Sequence, residues 1–591
     1  MQKGIVLKSS IVACAAAMTV ALAFVWSTSA RAQAPQRGTL RGTVTANSGA
    51  VRGFRVTTHN LTAKIWYIVF TKDGHYNVPQ ALPGSYEVSV LEDGYDSPVQ
   101  KVNLAPGQNL TVDIAVKKQS PDPSVTFLDY DQLYPPGAGR QFLEKNCMGC
   151  HGLDFYNNQH RTEAGWRAGI NVMFNGPSFH DAPMFARNVF TADQKTTLVK
   201  YLAANFGIDS PNRQLKHDPY DADENVLSKA IYVEYDAPDM RLLNKTGNGA
   251  ENAPLYGDPA TGSMVTSNTG QIVGEGVIIA PAANAQVLDE TAIGADGHIW
   301  ISASNASEIV ELDPQGVNPA SRWKQFPIEA PDAPRGVYPH GITIDRKGHV
   351  YWAEVLSGRV GELDPETGKT IRHRLPTEGS LCQVFADAND NVWYTMLQGS
   401  MIGKVDAKTR RVVQWGTPTA DTDPYGMVVD QKGIVWAAAA AKGLVLKFDP
   451  VAEEYTEYKT LTDSGVRRIG VDSKGIIWFS QYGVGRIGSL NPATGEMKEY
   501  KFPQRYTHPY DAWPDHADNI WTTDHFTDSM IKFDQSTQRF TYYPLPQKDW
   551  SVPKIEAEKN NTIWFGARGV EHVVAVHFYP NGYSAAAPAE P

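Results

Sequence analysis

One aromatic residue returns seven times at nearly constant spacing, and this repeat limits the fold more than any other feature of the 591-residue chain. It ends the stretches "ADGHIW", "RKGHVY", "ANDNVW", "QKGIVW", "SKGIIW", "HADNIW" and "KNNTIW", at Trp300, Tyr351, Trp393, Trp436, Trp478, Trp521 and Trp564. Successive intervals are 51, 42, 43, 42, 43 and 43 residues. A period near 43 with short strands and one aromatic per unit is the length of a four-stranded propeller blade. One such unit cannot bury both of its faces, so the repeat predicts seven blades closed into a ring over residues 278–580. The longer first interval contains "VNPASRW" and "APDAPRG", which read as a loop insertion.

What precedes the repeat is different in kind. Lys3 and Lys8 flank the start of an apolar run from Ile11 to Trp26, and Ala30-Arg31-Ala32 follows with small residues placed for cleavage. This predicts a secretory signal over residues 1–32, removed on export to the periplasm. Ile11-Val12-Ala13-Cys14 resembles a lipoprotein cleavage box, but most of the apolar run lies beyond Cys14. No later stretch reaches the roughly 18 apolar residues that cross a bilayer, so no membrane span is expected. A formal charge of −10 without a basic stripe argues against a nucleic-acid partner. Beyond the signal only Cys147, Cys150 and Cys382 are left, which is no disulfide framework.

Residues 38–118 alternate apolar and polar positions in short runs broken by Gly, Asn and Pro, the pattern of a small all-β domain. Asp73-Gly74 supplies a hairpin turn, and Pro83-Gly84 turns the chain before a strand from Ser85 to Val90. The stretches "GTLRGTVTANSGAVRGFRV" and "TKDGHYNVPQALPGSYEVSV" resemble the carboxypeptidase regulatory-like family, a β-sandwich with carbohydrate-binding relatives. The resemblance implies a spacer or docking module, with glycan binding as its alternative. Residues 119–136 read as a linker, and residues 208–277 as an irregular connecting segment.

Between them, residues 137–207 open and close with helical patterns. Thr191 is the expected N-cap of a helix that places Leu198, Tyr201, Leu202 and Phe206 on one face. After the first helical stretch stands Cys147-Met-Gly-Cys150-His151. Two thiols at this spacing can add to the vinyl groups of one haem, and the adjacent imidazole then reaches the iron. A zinc half-site would need a second ligand pair, and a thioredoxin-like pair would need a βαβ context. The segment resembles a class I cytochrome c. That resemblance implies covalently bound haem c held by Cys147, Cys150 and His151, with a methionine as sixth ligand. Met184, seventeen residues before Tyr201, suits the family's ligand loop; Met173 is the alternative, and His180 or an open site comes after them.

"PHGITIDRKGHVYWAEVLSGRVGELDPETGK" and "GVDSKGIIWFSQYGVGRIGSLNPATGEMKEY" resemble the streptogramin (virginiamycin B) lyase family, whose seven-bladed propeller opens a cyclic depsipeptide by metal-assisted elimination. The family's site uses Mg²⁺, two histidines and a glutamate two residues before one of them. His340 in "YPHGI" matches one histidine, but Tyr338 stands in the glutamate's place. Other blades read "PYGM", "VRRI", "PYDA" and "VPKI".

Counting eleven residues back from each anchor gives Asp289, His340, Cys382, Tyr425, Arg467, Tyr510 and Pro553, expected at one mouth of the channel. Counting three forward gives Ala303, Glu354, Met396, Ala439, Gln481, Asp524 and Ala567. His340, Glu354 and Asp524 are the candidate acid, base or cation (Mg or Ca) ligands, and Arg467 the candidate carboxylate holder. Cys382 reads as a buried small residue, without partners for a nucleophile.

The expected architecture is therefore multidomain and mainly β: a β-sandwich, an α-helical cytochrome c domain and a seven-bladed propeller. The function expected first is a periplasmic electron carrier whose propeller binds a small-molecule or glycan ligand, with a periplasmic redox partner, as in an oxidoreductase. The alternatives are a lyase of the streptogramin type and a glycan- or protein-binding sensor.

Overall fold

The computed structural model describes residues 35–579, except 121, 149–153, 158, 176–190, 217–222, 239, 241–287, 334–335, 378, 398, 525, 547–551 and 568–571. The expected signal therefore lies outside the described residues. Among those described, no helix is long and apolar enough to cross a membrane.

Six blades are four-stranded antiparallel sheets, each built from one continuous stretch between Leu288 and Pro544. Why the chain repeats is visible at the anchors. Six residues before the tryptophan, Asp387, Asp430, Asp472 and Asp515 each accept the anchor's indole N–H, at 2.8–3.0 Å. Their second oxygens accept backbone N–H groups of the turn between the first two strands, as Asp430 does from Lys432 and Ile434. One carboxylate thus fixes both the turn and the core aromatic, and Glu558 serves Trp564 the same way at 2.9 Å.

The seventh blade is completed from elsewhere. Glu556–Ala557, Ile563–Ala567 and His572–Phe578 take as their outer strand Ala230–Asp236, which precedes the first blade. Tyr232 of that strand lies opposite Val576 on one side and opposite Ile68 of the sandwich on the other. An eight-stranded sheet therefore runs without a break from the seventh blade into the sandwich, leaving neither edge bare at the seam. Residues 208–277, expected to be irregular, thus carry the strand that closes the ring; residues 119–136 likewise hold Thr126–Leu128, paired with Arg213–Leu215.

The sandwich's second sheet holds Gly38–Ala46 between His75–Ala81 and Ile114–Lys118. Lys72 and His75 exchange both backbone hydrogen bonds around Asp73 and Gly74, whose φ values are 51° and 76°. This is the expected tight turn. The insertion in the first blade docks on the sandwich: Arg322, almost fully buried, donates to the Ala63 carbonyl at 2.8 Å.

Among the described residues, and besides the short helix Asp154–Asn157, 137–207 form three longer helices, Ala138–Asn146, Glu163–Asn175 and Ala192–Asn205. Thr191 caps the last with a reciprocal Gln194 contact, and Leu198, Leu202 and Phe206 are buried. The first helix crosses the third where Gly139 meets Tyr201; a Cβ on Gly139 would fall 2.2 Å from the Tyr201 Cβ. Gly139→Ala should therefore force the two helices apart and cost about 1–3 kcal/mol. Loss of helical circular dichroism at a lower temperature than the β signal would register it, and unchanged helix melting would refute it. Of the expected haem ligands, Cys147 ends the first helix, half-buried, and Met173 lies within the second. Cys150, His151 and Met184, with His180, lie outside the described residues.

Candidate functional site

The inner strands of neighbouring blades converge on a central channel, and those of the first and seventh blades meet to close it. Five of the seven residues counted eleven back from the anchors interlock there with Asp289. His340 is 6% exposed; its Nδ1 lies 2.9 Å from the Cys382 carbonyl and 3.2 Å from Glu290 Oε1. Both neighbours are acceptors, so Nδ1 must carry the proton. In the neutral imidazole the lone pair is therefore on Nε2, which lies 4.0 Å from Asp289 Oδ2.

Across the mouth, Tyr425 and Tyr510 share a hydroxyl–hydroxyl hydrogen bond of 2.6 Å. Arg467 Nη2 donates to the Tyr510 hydroxyl at 2.7 Å. Its guanidinium sits 4.1 Å from the Tyr510 ring, 4.7 Å from Tyr425 and 5.0 Å from Tyr482. This cage holds a half-buried cation in place. Cys382 is buried, and burial pushes its thiol up to about 12, which keeps it protonated and inert. Pro553 is buried without a polar role.

Glu354 and Asp524 end the second strands of their blades, opposite Pro339 and Pro509, and both clamp turns there. Glu354 is engaged by Arg372 on the outermost strand of its blade, with contacts of 2.9 and 2.8 Å, and by Ser357. Asp524 accepts the backbone N–H groups of His508 and Phe526 at 2.9 and 3.0 Å. Three residues past the anchor the strand ends and the next turn begins, so each carboxylate finds partners in that turn.

One residue further along the inner strands lies a layer that the count of eleven missed. Glu290, Gln383 and Arg468 bond across the channel: Arg468 to Glu290, Arg468 Nη1 to Gln383 Oε1 at 2.5 Å, and Gln383 Nε2 to Glu290 Oε2 at 3.3 Å. Burial alone would raise the Glu290 carboxyl, but Arg468, then His340 and Lys554, overcome it and hold it down. Counting ten back, through Glu290, Gln383, Arg468, Asp511 and Lys554, would have found this septum. Asp423 was also missed. It stands two residues before Tyr425, as Tyr338 does before His340, both with positive φ (47° and 51°). Burial raises its carboxyl to about 6.

A magnesium ion of the kind implied by the resemblance does not fit this mouth. Tyr338 offers no carboxylate, Glu290 is already neutralised by Arg468, and Arg467 fills the opposite wall with a second positive charge. Among the described residues, the three ligand-type side chains close enough to share an ion are Asp296, His298 and Glu311 on the first blade, where Lys324 Nζ lies 3.0 Å from Glu311.

Two overlapping matches to the virginiamycin B lyase family, over residues 277–453 and 410–581, together cover just over half of the chain. The chain belongs to that family. Residues 39–117 match the carboxypeptidase regulatory-like domain. A virginiamycin B lyase of Nocardia farcinica is 30% identical over 112 residues, which is 19% of this chain and 38% of that relative. The chain thus aligns with well under half of that lyase's length. A streptogramin B lyase structure superimposes with a TM-score of 0.45 at 20% identity, covering 51% of this chain and 96% of the other. A catalytically inactive virginiamycin B lyase from Staphylococcus aureus, solved with quinupristin, gives 0.46 at 18% identity over 50% and 97%.

Proposed function

We propose that the propeller mouth carries out a lyase-type elimination that uses a guanidinium where the family uses a metal. The observation that carries this is the placement of His340 at the mouth: Nδ1 is engaged by the Cys382 carbonyl and Glu290, so in the neutral imidazole Nε2 is the basic nitrogen. The substrate class is an ester whose alcohol-side carbon bears an acidic neighbouring C–H, as in a cyclic depsipeptide. The C–H proton moves to His340 Nε2, its electron pair forms the new C=C bond, and the C–O bond breaks. The departing carboxylate is received by Arg467, with Tyr510 beside it, and Asp289 stabilises the imidazolium that results.

The test is to incubate the full chain with quinupristin and follow the ring-opened alkene by chromatography, since elimination leaves the mass unchanged. His340→Ala and Arg467→Met should each lose about 10²-fold or more, and EDTA should leave the rate intact. Turnover that survives His340→Ala, or that EDTA abolishes, defeats this mechanism.

A second reading, an exported electron carrier with covalent haem c, is supported by the close crossing of Ala138–Asn146 with Ala192–Asn205 directly before Cys147. The donor set of two thiols and an imidazole fits that group. Cys147, Cys150 and His151 would hold it, with Met184 or Met173 as a further ligand, and bound there it would accept and release single electrons. Its partner would be a periplasmic redox protein.

A further inference from the structure

The septum of Glu290, Gln383 and Arg468 divides the channel, and what lies beyond it is not part of the mouth. On the far side is a cavity of about 290 Å³ to which all seven blades contribute. None of Asp289, His340, Tyr425, Arg467 or Tyr510 lines it. Its polar end is formed by Gln383, Arg468, Asp511 and Lys554, each no more than 6% exposed. Its walls carry Ile342, Val384, Met427 and Ile469, followed by Phe385 and Trp513, with Thr343 and Glu556 between them.

The charges at the polar end cancel in pairs. Arg468 is matched by Glu290, and Lys554 by Glu556 at 2.5 Å. Lys554 is further spent on the Thr291 carbonyl at 3.0 Å. Neither cation has charge left for an anionic ligand. Asp511 accepts backbone N–H groups from Ala512 and Ile555 at 2.8 and 3.1 Å, and burial raises its carboxyl to about 6. Hydrogen-bonding capacity is left over on both sides of the balance. The Arg468 Nε–H has no hydrogen-bond partner among the described residues, and each Asp511 oxygen has a lone pair beyond its backbone contact. Below about pH 6, where Asp511 holds its proton, the polar end is neutral, and a buried donor and a buried acceptor beside apolar side chains then call for a ligand that is itself neutral and offers both.

We propose that this second chamber is a binding site for a neutral carboxamide with an apolar body. The carbonyl of such a ligand takes the Arg468 N–H, its N–H₂ reaches Asp511, and its hydrocarbon part lies along Ile342, Met427 and Trp513. The site is separate from the elimination chemistry of the mouth and does not depend on it. A ligand filling it would meet Arg468, the partner of Glu290, which in turn orients His340.

The test uses three probes of one shape, benzamide, benzoate and benzylamine, with the full chain at pH 5, where Asp511 is mostly protonated, read by tryptophan fluorescence and calorimetry. Benzamide should bind saturably and at least tenfold tighter than either charged analogue. Asp511→Ala should weaken it about tenfold. Ala386→Phe, which fills the lower wall without touching a polar group, should abolish binding, and Arg467→Met in the mouth should leave it unchanged. Equal binding of all three probes, preference for benzoate or benzylamine, no saturable binding, or benzamide binding that survives Ala386→Phe would each overturn the proposal.

Discussion

Replacing Arg468 by alanine should destabilise the propeller by about 3–5 kcal/mol, because it strands a buried carboxylate at the centre of the ring. Glu290 is fully buried and holds its charge chiefly through Arg468. With that partner gone, His340 and Lys554 are left, and Gln383 also loses its donor. The pH dependence has a definite sign. Glu290 is depressed in the folded state, so its ion pair stabilises the wild type above the unfolded carboxyl's range and loses that contribution as pH falls through the folded value. The gap between wild type and Arg468→Ala is therefore widest at pH 7, is already smaller at pH 4 and closes towards the folded value of about 2. Removing both charges with Glu290→Leu and Arg468→Met should recover most of the loss, since a buried pair replaced by apolar residues of similar size is often neutral. Urea unfolding followed by tryptophan fluorescence at pH 7 and pH 4 gives the comparison. A single substitution as mild as the double one would show that the septum carries no such strain.

How much of this was legible in the sequence follows from which contacts are local. The blades were legible because each turn carboxylate sits six residues from the aromatic it holds, so the same short pattern recurs. The sandwich turn at Asp73-Gly74 and the cap at Thr191 were legible for the same reason. The mouth was half legible. Register alone placed His340, Tyr425, Arg467 and Tyr510 together, but Glu354 and Asp524 have local partners, Ser357 and Thr527, that no count of the repeat reveals. The septum was hidden because Arg468 and Glu290 lie 178 residues apart. In the same layer Gly341 and Gly426 interrupt the charged positions, where a Cβ would strike the next blade's backbone. The closing strand Ala230–Asp236 was hidden differently. "AIYVEYD" has the β-branched and aromatic content of a strand, but both of its partners are hundreds of residues away or in another domain. Export, and the haem reading that rests on Cys150 and His151, fall on residues outside those described, so there the sequence pattern is the whole support.

That closing strand carries an unusual group, and substituting it should stabilise the fold. Glu234 is fully buried between Trp66 of the sandwich and Val574 of the seventh blade, and neither of its carboxylate oxygens has a hydrogen-bond partner among the described residues. Burial raises it to about 7, with His572 pulling down and Asp236 pushing up. A carboxyl raised in the folded state opposes folding wherever the unfolded chain would ionise it. Stability thus falls as pH climbs from the unfolded value of 4.5 to about 7 and stays low beyond. Glu234→Gln keeps the shape and removes the charge. At pH 8 it should stabilise the seam by roughly 3 kcal/mol; at pH 4, where both states hold a neutral acid, it should change little. Melting temperatures of the two proteins at pH 4 and pH 8 decide the matter. Equal stability at pH 8 would mean that the ionised carboxylate is compensated across the sheet by His572, and the join between sandwich and propeller would then lose nothing as pH rises.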